Sequence, residues 1–181
     1  MARSAARVLD EYLVSGAQRG DGRAYELLVR RWQKKLVGHA WQLTGDVELA
    51  QEAAQQGWVE IVRGLDRLRD ARAFPAWAFR IVSRACARQI GSAIDRRLLA
   101  DTLDEQPRSQ LDPADGPWEV DRLRAAIRAL PAEQRAAIAL FHFEEMSVAE
   151  VAVALEVPAG TVKTRLMHAR RKLRAALEGE E

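Results

Sequence analysis

The residues best suited to carry chemistry in this sequence are the cations near its C-terminal end. Residues 156–174 read EVPAGTVKTRLMHARRKLR, which holds six basic side chains and no acidic one after Glu156. The whole chain of 181 residues has a net charge of only +2, so this excess is local. A local excess of cations marks a specific electrostatic surface of the kind that binds phosphates. The pattern favours a nucleic-acid surface, and the alternative is a solvated cationic helix without a ligand.

Other kinds of chemical site find little support in the sequence. His39, His142 and His168 are far apart, and none stands at metal-ligand spacing from cysteines or carboxylates. The single cysteine, Cys86, allows no disulfide within the chain and is expected to be a packed or idle thiol. There is no Gly-rich phosphate loop and no nucleophile motif. We therefore expect a protein that is not an enzyme and holds neither a metal nor a cofactor.

Targeting signals are not apparent. The first residues, MARSAARVLDEYLV, lack the apolar segment and the cleavage pattern of a signal peptide. No run of about 18 apolar residues could cross a bilayer. We expect a cytoplasmic protein with no direct membrane insertion.

The cationic segment must be positioned by helices, because apolar residues recur at helical spacing along most of the chain. Leu28, Trp32 and Leu36 form one stripe in a predicted helix that ends near Leu43. The cationic segment has its own stripe, at residues 162, 166, 169 and 173. No alternating β-branched run predicts a strand. The fold class is therefore all-α.

Two further helices are predicted before the middle of the chain. One runs from about Val47 to residue 65, with Asp46 as its cap and with Trp58, Ile61 and Val62 facing inward. The next covers residues 73–90, where Pro75 is tolerated in the first turn.

Composition changes sharply between residues 98 and 117, where acids and prolines accumulate and Arg108 is the only base. Such a segment buries too little apolar surface to order itself. We expect two helical domains, residues 1–97 and 118–181, joined by an acidic flexible linker, residues 98–117. The linker is either a solvated tether or an acidic segment that threads a cationic channel of a partner.

A helix-turn-helix motif is predicted in the second domain. Ser147 and Glu150 have the spacing of a capping box before a short apolar helix that ends near Leu155. Pro158 suits the opening of the next helix, on which Val162 is apolar where that helix must pack against the first. In this layout the second helix enters the major groove of DNA.

The second helix of this motif divides into two faces. Opposite the apolar stripe and near the front of the helix lie Lys163, Thr164, Met167 and His168. The other cations stand where they would neutralise flanking phosphates: Arg165, Arg170, Arg171, Lys172 and Arg174. Phosphate contacts supply affinity, and contacts to base edges supply sequence choice.

In this order, the motifs resemble the extracytoplasmic-function sigma factors of bacterial RNA polymerase, a group of the sigma-70 family. Residues 130–177 resemble region 4 of that family, most strongly in VPAGTVKTRLMHARRKLR. The N-terminal half resembles region 2: GDGRAYELLVRRW its opening helix, TGDVELAQEAAQQGWVEIV its polymerase-binding helix, and AFPAWAFRIVSRA its promoter-melting segment. The resemblance spans almost the whole chain and implies an alternative sigma factor that directs promoter-specific initiation.

The resemblance also implies roles and partners, namely core RNA polymerase, promoter DNA and an anti-sigma factor. The clamp helices of the largest polymerase subunit would meet Glu48, Glu52, Gln55 and Gln56, and the flap is a second polymerase contact. The −10 element would meet Phe74, Trp77, Arg80, Arg84 and Arg88. The −35 element would be read by Lys163, Thr164, Met167 and His168, with backbone contacts from Thr161, Arg165, Arg170 and Arg171.

The sequence departs from the family pattern at a few positions. Arg84 and Arg88 stand where relatives usually have Asn and Asp. Glu156 occupies the turn of the helix-turn-helix, where Gly is frequent. If that position needs a positive φ, Glu costs about 1 kcal/mol relative to Gly. The acidic motif of the polymerase-binding helix is softened to EAAQQ.

Two other functions remain open at this point. A stand-alone helix-turn-helix repressor or activator would need only the second domain, and the region 2-like half argues against it. A sigma mimic that sequesters an anti-sigma protein would tolerate Arg84, Arg88 and EAAQQ, but the intact basic helix argues against it.

Overall fold

A computed structural model of the chain describes residues 4–100 and 118–178, and within these ranges the regular structure is entirely helical. The predicted all-α class is confirmed. We number the α-helices of the described ranges α1 (Ala5–Gln18), α2 (Gly22–Thr44), α3 (Val47–Gly64), α4 (Phe74–Ala100), α5 (Trp118–Arg128), α6 (Ala132–Ile138), α7 (Val148–Leu155) and α8 (Ala159–Glu178).

In the N-terminal half, α2, α3 and α4 pack against one another, and α1 lies against α2. The predicted stripe of α2 is confirmed, because Leu28, Trp32 and Leu36 are all buried. The ring of Phe74 meets that of Trp32 edge-on, with the centroids 5.0 Å apart. Phe79, also buried, packs against Trp32 with the ring centroids 5.5 Å apart. Aromatic side chains therefore form the centre of this half.

Helix α1 was not predicted from the sequence. Ser4 caps it, and the buried carboxylate of Asp10 accepts hydrogen bonds from Arg31 Nε at 2.9 Å and Trp32 Nε1 at 3.1 Å. Leu13 and Val14 of α1 are buried, whereas Val8 and Tyr12 are exposed. A long-range polar contact, invisible in the sequence, contributes to its docking.

Helix α3 confirms its predicted cap and corrects one core residue. Asp46 accepts a hydrogen bond from the backbone nitrogen of Leu49 at 2.9 Å. Trp58 and Ile61 are buried as expected, but Val62 is 49% exposed. Val62 follows Ile61 by one residue, a rotation of about 100° on a helix, which turns its side chain to the solvent face.

The C-terminal half is built on α8, which packs against α5, α6 and α7. A π-helical turn, Ala139–Phe143, extends α6 and leaves Phe143 59% exposed. Helix α4 continues to Ala100, so residues 98–100, expected in the linker, are helical. Residues 101–117 of the predicted linker lie outside the described residues.

The two halves pack against each other. Helix α7 lies on α4 and α6 lies on α2, and buried apolar residues of both halves belong to one cluster. The first helix of the helix-turn-helix motif is therefore part of the contact between the halves.

Two buried groups of the N-terminal half are held in uncharged form. Burial raises the pKa of the Cys86 thiol to about 12, which leaves it unreactive at neutral pH. Burial lowers the pKa of His39 to about 3, and Ser83 Oγ lies 2.8 Å from its Nε2. The prediction of a packed or idle thiol at Cys86 is confirmed.

His39 predicts a loss of stability in mild acid. The unfolded chain takes up a proton below the ordinary pKa of about 6.5, whereas the folded chain does so only near pH 3. The contribution is therefore complete above pH 6.5 and is lost progressively as the pH falls towards 3. We expect this group to lower the free energy of unfolding by about 2 kcal/mol when the pH falls from 7.5 to 5. Urea unfolding at the two pH values measures the change. His39→Gln keeps a hydrogen-bonding group without this titration and should flatten the profile. If the free energy of unfolding fell equally with pH in both proteins, groups other than His39 would cause the acid sensitivity.

Candidate nucleic-acid interface

Helix α7 begins at the predicted capping box. Ser147 Oγ accepts a hydrogen bond from the backbone nitrogen of Glu150 at 3.2 Å, and the backbone nitrogen of Ser147 donates to Glu150 Oε2 at 2.7 Å. The reciprocal pair satisfies backbone groups at the helix start. Arg7 of α1 also donates to this carboxylate, from Nη1 to Oε1 at 2.6 Å. Glu150 therefore both begins the motif and attaches it to the N-terminal half.

The turn after α7 places Glu156 in the left-handed region, with φ 54° and ψ 44°. The backbone nitrogen of Val157 donates to the carbonyl of Ala152 at 3.1 Å and closes the turn. The turn position of Glu156 therefore does have a positive φ. The non-Gly residue stores a local strain of about 1 kcal/mol.

Helix α8 is fixed by a buried apolar stripe. Val162, Leu166 and Ala169 are buried, and Leu173 is half-buried against the core. The spacing of three and four residues puts them on one side of the helix. The opposite side of α8 must then face away from the protein.

That opposite side is the α8 face, which we define as Lys163, Thr164, Met167 and His168. Lys163 and Thr164 are exposed, Met167 is 57% exposed, and His168 is half-buried. Arg171 Nη2 lies 3.3 Å from His168 Nδ1, which orients both side chains. The four residues predicted to read DNA therefore share one accessible surface.

The cations around the α8 face differ in their availability. Arg171, Lys172 and Arg174 are exposed. Arg170 is also exposed, and its guanidinium lies 5.4 Å from the centre of the Phe141 ring. These side chains can reach phosphates without leaving a buried site.

Arg165 has a different position from the one expected. It pairs with Glu133 of α6 at 2.8 Å, and only 18% of its side chain is exposed. Such a pair fixes α8 against α6, so Arg165 positions the helix in this structure rather than lying free for DNA. Thr161, another predicted backbone contact, is half-buried at the front of α8.

A second cationic surface lies on α4, and we call Trp77, Arg80, Arg84 and Arg88 the α4 face. Their spacing of three and four residues puts them on one side of the helix. Arg88 forms an ion pair with Glu60 of α3, and Arg84 forms one with Glu156. The Nε of Arg80 is buried and has no hydrogen-bond partner among the described residues.

Trp77 depends on a glycine that the sequence did not single out. The indole is half-buried and crosses Gly64 at the end of α3. A Cβ at Gly64 would lie 2.9 Å from Trp77 Cζ2, closer than side chains tolerate. The one sequence signal for this role is a glycine inside a predicted helix, which suggests close packing.

Phe74 corrects the predicted −10 set. Its side chain is fully buried and packs on Trp32, with Trp77 at 6.1 Å between ring centres. No face of the ring is accessible to a base. The residue belongs to the core because it begins α4 on the side that faces α2.

The residues predicted to meet polymerase share the solvent side of α3. Glu48, Glu52 and Gln55 are exposed, and Gln56 is half-buried. Val59, 46% exposed, continues this surface towards Val62. We call the first four residues the α3 face.

Within residues 4–100 and 118–178, no three His, Cys, Asp or Glu side chains are grouped so that they could hold a metal ion. No helix in the same ranges is long and apolar enough to span a membrane.

Comparison with known proteins relates both halves to one family. Residues 28–93 match the model of sigma-70 region 2, and residues 121–173 match that of sigma-70 region 4. The RNA polymerase sigma-H factor of Pseudomonas aeruginosa is 30% identical, over 93% of this chain and 94% of that protein. The ECF RNA polymerase sigma-E factor of Escherichia coli K12 is 28% identical, over 91% of this chain and 92% of that protein.

Two solved structures have a similar fold. The sigma factor RpoE in complex with the anti-sigma factor NepR, from Bartonella quintana, gives a TM-score of 0.74 at 21% identity, over 87% of this chain and 98% of that one. CnrH in complex with the cytosolic domain of CnrY gives 0.64 at 25% identity, over 96% of this chain and 99% of that one.

Proposed function

Because this chain belongs to the extracytoplasmic-function sigma factors and is an alternative sigma factor that directs transcription initiation, we propose a division of that work among its helices. The α3 face docks on core RNA polymerase. The α4 face holds the −10 region of promoter DNA, and the α8 face reads the −35 element.

The observation that supports this division best is the two-sided form of α8. Its buried stripe fixes the helix, and Lys163, Thr164 and Met167 project from the other side. The major groove of B-DNA admits one α-helix, and its base edges carry a distinct donor and acceptor code. The exposed cations beside this face supply phosphate contacts that are independent of sequence.

The α4 face has the side-chain types that bind single-stranded DNA. Aromatic rings stack on unpaired bases, and cations follow the backbone. Trp77 supplies the ring, and Arg80, Arg84 and Arg88 supply the charge. Phe74 takes no part, since it lies in the core.

The α3 face presents the charge expected of a contact with basic helices. Glu48 and Glu52 are acidic and exposed, and Gln55 continues their row along α3. Opposite charges across such an interface favour encounter and fix its register. The clamp helices of the largest polymerase subunit are the proposed partner of this face, and the flap is that of the C-terminal half.

The protein performs no chemistry of its own and acts in the cytoplasm, where polymerase works. An anti-sigma factor is its proposed regulator, a proposal supported by the similar fold of RpoE bound to NepR.

Reconstituted transcription tests the division of work. Purified core polymerase, this protein and supercoiled DNA with a selected promoter should give specific transcripts and a permanganate-reactive bubble near −10. Glu52→Lys should weaken association with core polymerase by about tenfold or more, because it puts a cation on a face that meets basic residues. The affinity is measured by titrating labelled protein with core enzyme.

Glu26→Lys is the matched control, since it makes the same charge change on an exposed residue of α2. It should leave association with core polymerase nearly unchanged. If the protein bound duplex DNA well but never associated with core enzyme, the docking role of α3 would be wrong.

A further inference from the structure

Ion pairs across the contact between the two halves have a consistent polarity. The C-terminal half supplies the acids Glu144, Glu150 and Glu156, and the N-terminal half supplies the cations. Lys35 of α2 pairs with Glu144, Arg7 of α1 with Glu150, and Arg84 of α4 with Glu156. The helix-turn-helix domain thus has an acidic side that faces the N-terminal half and a basic α8 face that points elsewhere.

The pair of Arg84 and Glu156 has the most complete geometry of the three. Arg84 Nε donates to both carboxylate oxygens of Glu156 at 2.9 Å, and Arg84 Nη2 donates to Oε1. Hydrogen bonding to Arg84 lowers the pKa of Glu156, and the nearby charge of Arg80 acts in the same direction. The left-handed turn that ends α7 carries this carboxylate to the surface of α4.

The same contact covers more of the α4 face. Trp77 and Arg80 line a cleft of about 360 Å³, whose other wall is formed by Ala149, Glu150 and Val153 of α7. A single strand that followed the α4 face would have to enter this cleft. The first helix of the motif therefore stands where the strand would lie.

The closed arrangement is also too small to bind both promoter elements. The −10 and −35 elements are about 25 base pairs apart, which is roughly 85 Å of B-DNA at 3.4 Å per base pair. A compact chain of 181 residues has a radius of gyration of about 16 Å. The halves must separate before α4 and α8 can bind one promoter.

We propose that Glu156 is a built-in competitor of promoter DNA, whose carboxylate occupies the guanidinium of Arg84 and holds the helix-turn-helix domain over the α4 face. The Arg84–Glu156 pair acts as a latch, and the pairs of Arg7 and Lys35 support it. Opening exchanges the carboxylate for the phosphates of the −10 strand. The closed arrangement does not depend on the proposed function, whereas the competition with DNA rests on it.

Distance measurements on the full chain test the latch without DNA or polymerase. In a Cys86→Ala background, spin labels at the exposed positions 51 on α3 and 175 on α8 report the separation of the halves by double electron–electron resonance. Glu156→Gln removes the charge and should raise the open fraction about two- to fivefold, the range for a partly exposed ion pair. The exchange Arg84→Glu with Glu156→Arg restores the pair and should return the open fraction to its original value.

Glu178→Gln is the matched control for the distance measurement. It removes the same charge from the same half, but Glu178 is exposed and pairs with Arg174 within α8. Its distance distribution should equal that of the parent protein, with unchanged helicity in all variants. A Glu156→Gln distribution like that of Glu178→Gln, or no recovery in the charge exchange, would overturn the proposal.

Binding of a labelled single strand with the −10 sequence tests the competition. Glu156→Gln should bind it two- to fivefold more tightly than the parent, because fewer molecules are closed. A changed distance distribution with no gain in affinity would also overturn the proposal. If the strand bound to no variant, the −10 role of α4 would be wrong, and the distance distributions alone would decide the latch.

Discussion

Raising the salt concentration from about 50 mM to about 200 mM is expected to weaken binding of the full chain to a −35 duplex about 150-fold. Four exposed cations flank the α8 face and can reach phosphates, namely Arg170, Arg171, Lys172 and Arg174, the last of which pairs with Glu178 on the surface. Each neutralised phosphate releases counterions and contributes roughly −0.9 to the slope of log affinity against log salt, so four give about −3.6. Fluorescence anisotropy with a labelled duplex measures this slope. Because the α8 face is accessible in the closed arrangement, the latch does not enter the measurement.

Single substitutions separate phosphate contacts from base contacts in the same titration. Arg171→Ala should weaken all sequences alike and make the slope less negative by about 0.9. Lys163→Ala should cost about 1–3 kcal/mol on the preferred sequence and relax the choice at one base pair. Arg30→Ala, an exposed cation of α2 paired with Glu26, serves as the control. A slope near zero would exclude phosphate binding by α8, and equal specificity profiles for the first two variants would refute the assignment of faces.

The helix-turn-helix could be predicted from the sequence because its determinants are local. Ser147 and Glu150 stand three residues apart and cap one helix, and the stripe of α8 repeats every three or four residues. Even the positive φ of Glu156 follows from its place in a short turn. Rules of this kind need no knowledge of distant parts of the chain.

The contact between the halves could not be predicted, because it joins residues that are distant in sequence. Arg84 and Glu156 each appeared as an isolated departure from the family pattern, and the structure pairs them across 72 positions. Arg7 and Glu150 pair across 143 positions. Charges at such separations give no periodic signal, and the packing of whole helices decides which of them meet. The pair of Arg165 and Glu133 was not predicted for the same reason, and it holds a residue predicted to contact DNA against α6.

Phe74 shows how resemblance and burial can disagree. An aromatic residue matched the −10 segment of the family, so the sequence offered no reason to separate it from Trp77. In the structure α4 begins at Phe74, whose side chain points towards Trp32, while Trp77 lies three residues further along and reaches the surface. The side of the helix, and not the residue type, distinguishes their exposure.

Phe74→Ala is therefore expected to lower the free energy of unfolding by about 3–5 kcal/mol, the usual cost of deleting a buried phenyl ring. Part of this cost is the lost free energy of transferring the ring out of water, and part is the cavity left beside Trp32 and Phe79. Neither of these rings can fill the cavity unless α2 or α4 moves. Urea unfolding followed by circular dichroism measures the change. Phe143→Ala deletes the same ring at a position 59% exposed and should change the stability by no more than about 0.5 kcal/mol. A stability loss below about 1 kcal/mol for Phe74→Ala would mean that the ring is not held in the core, and Phe74 would return to the −10 set.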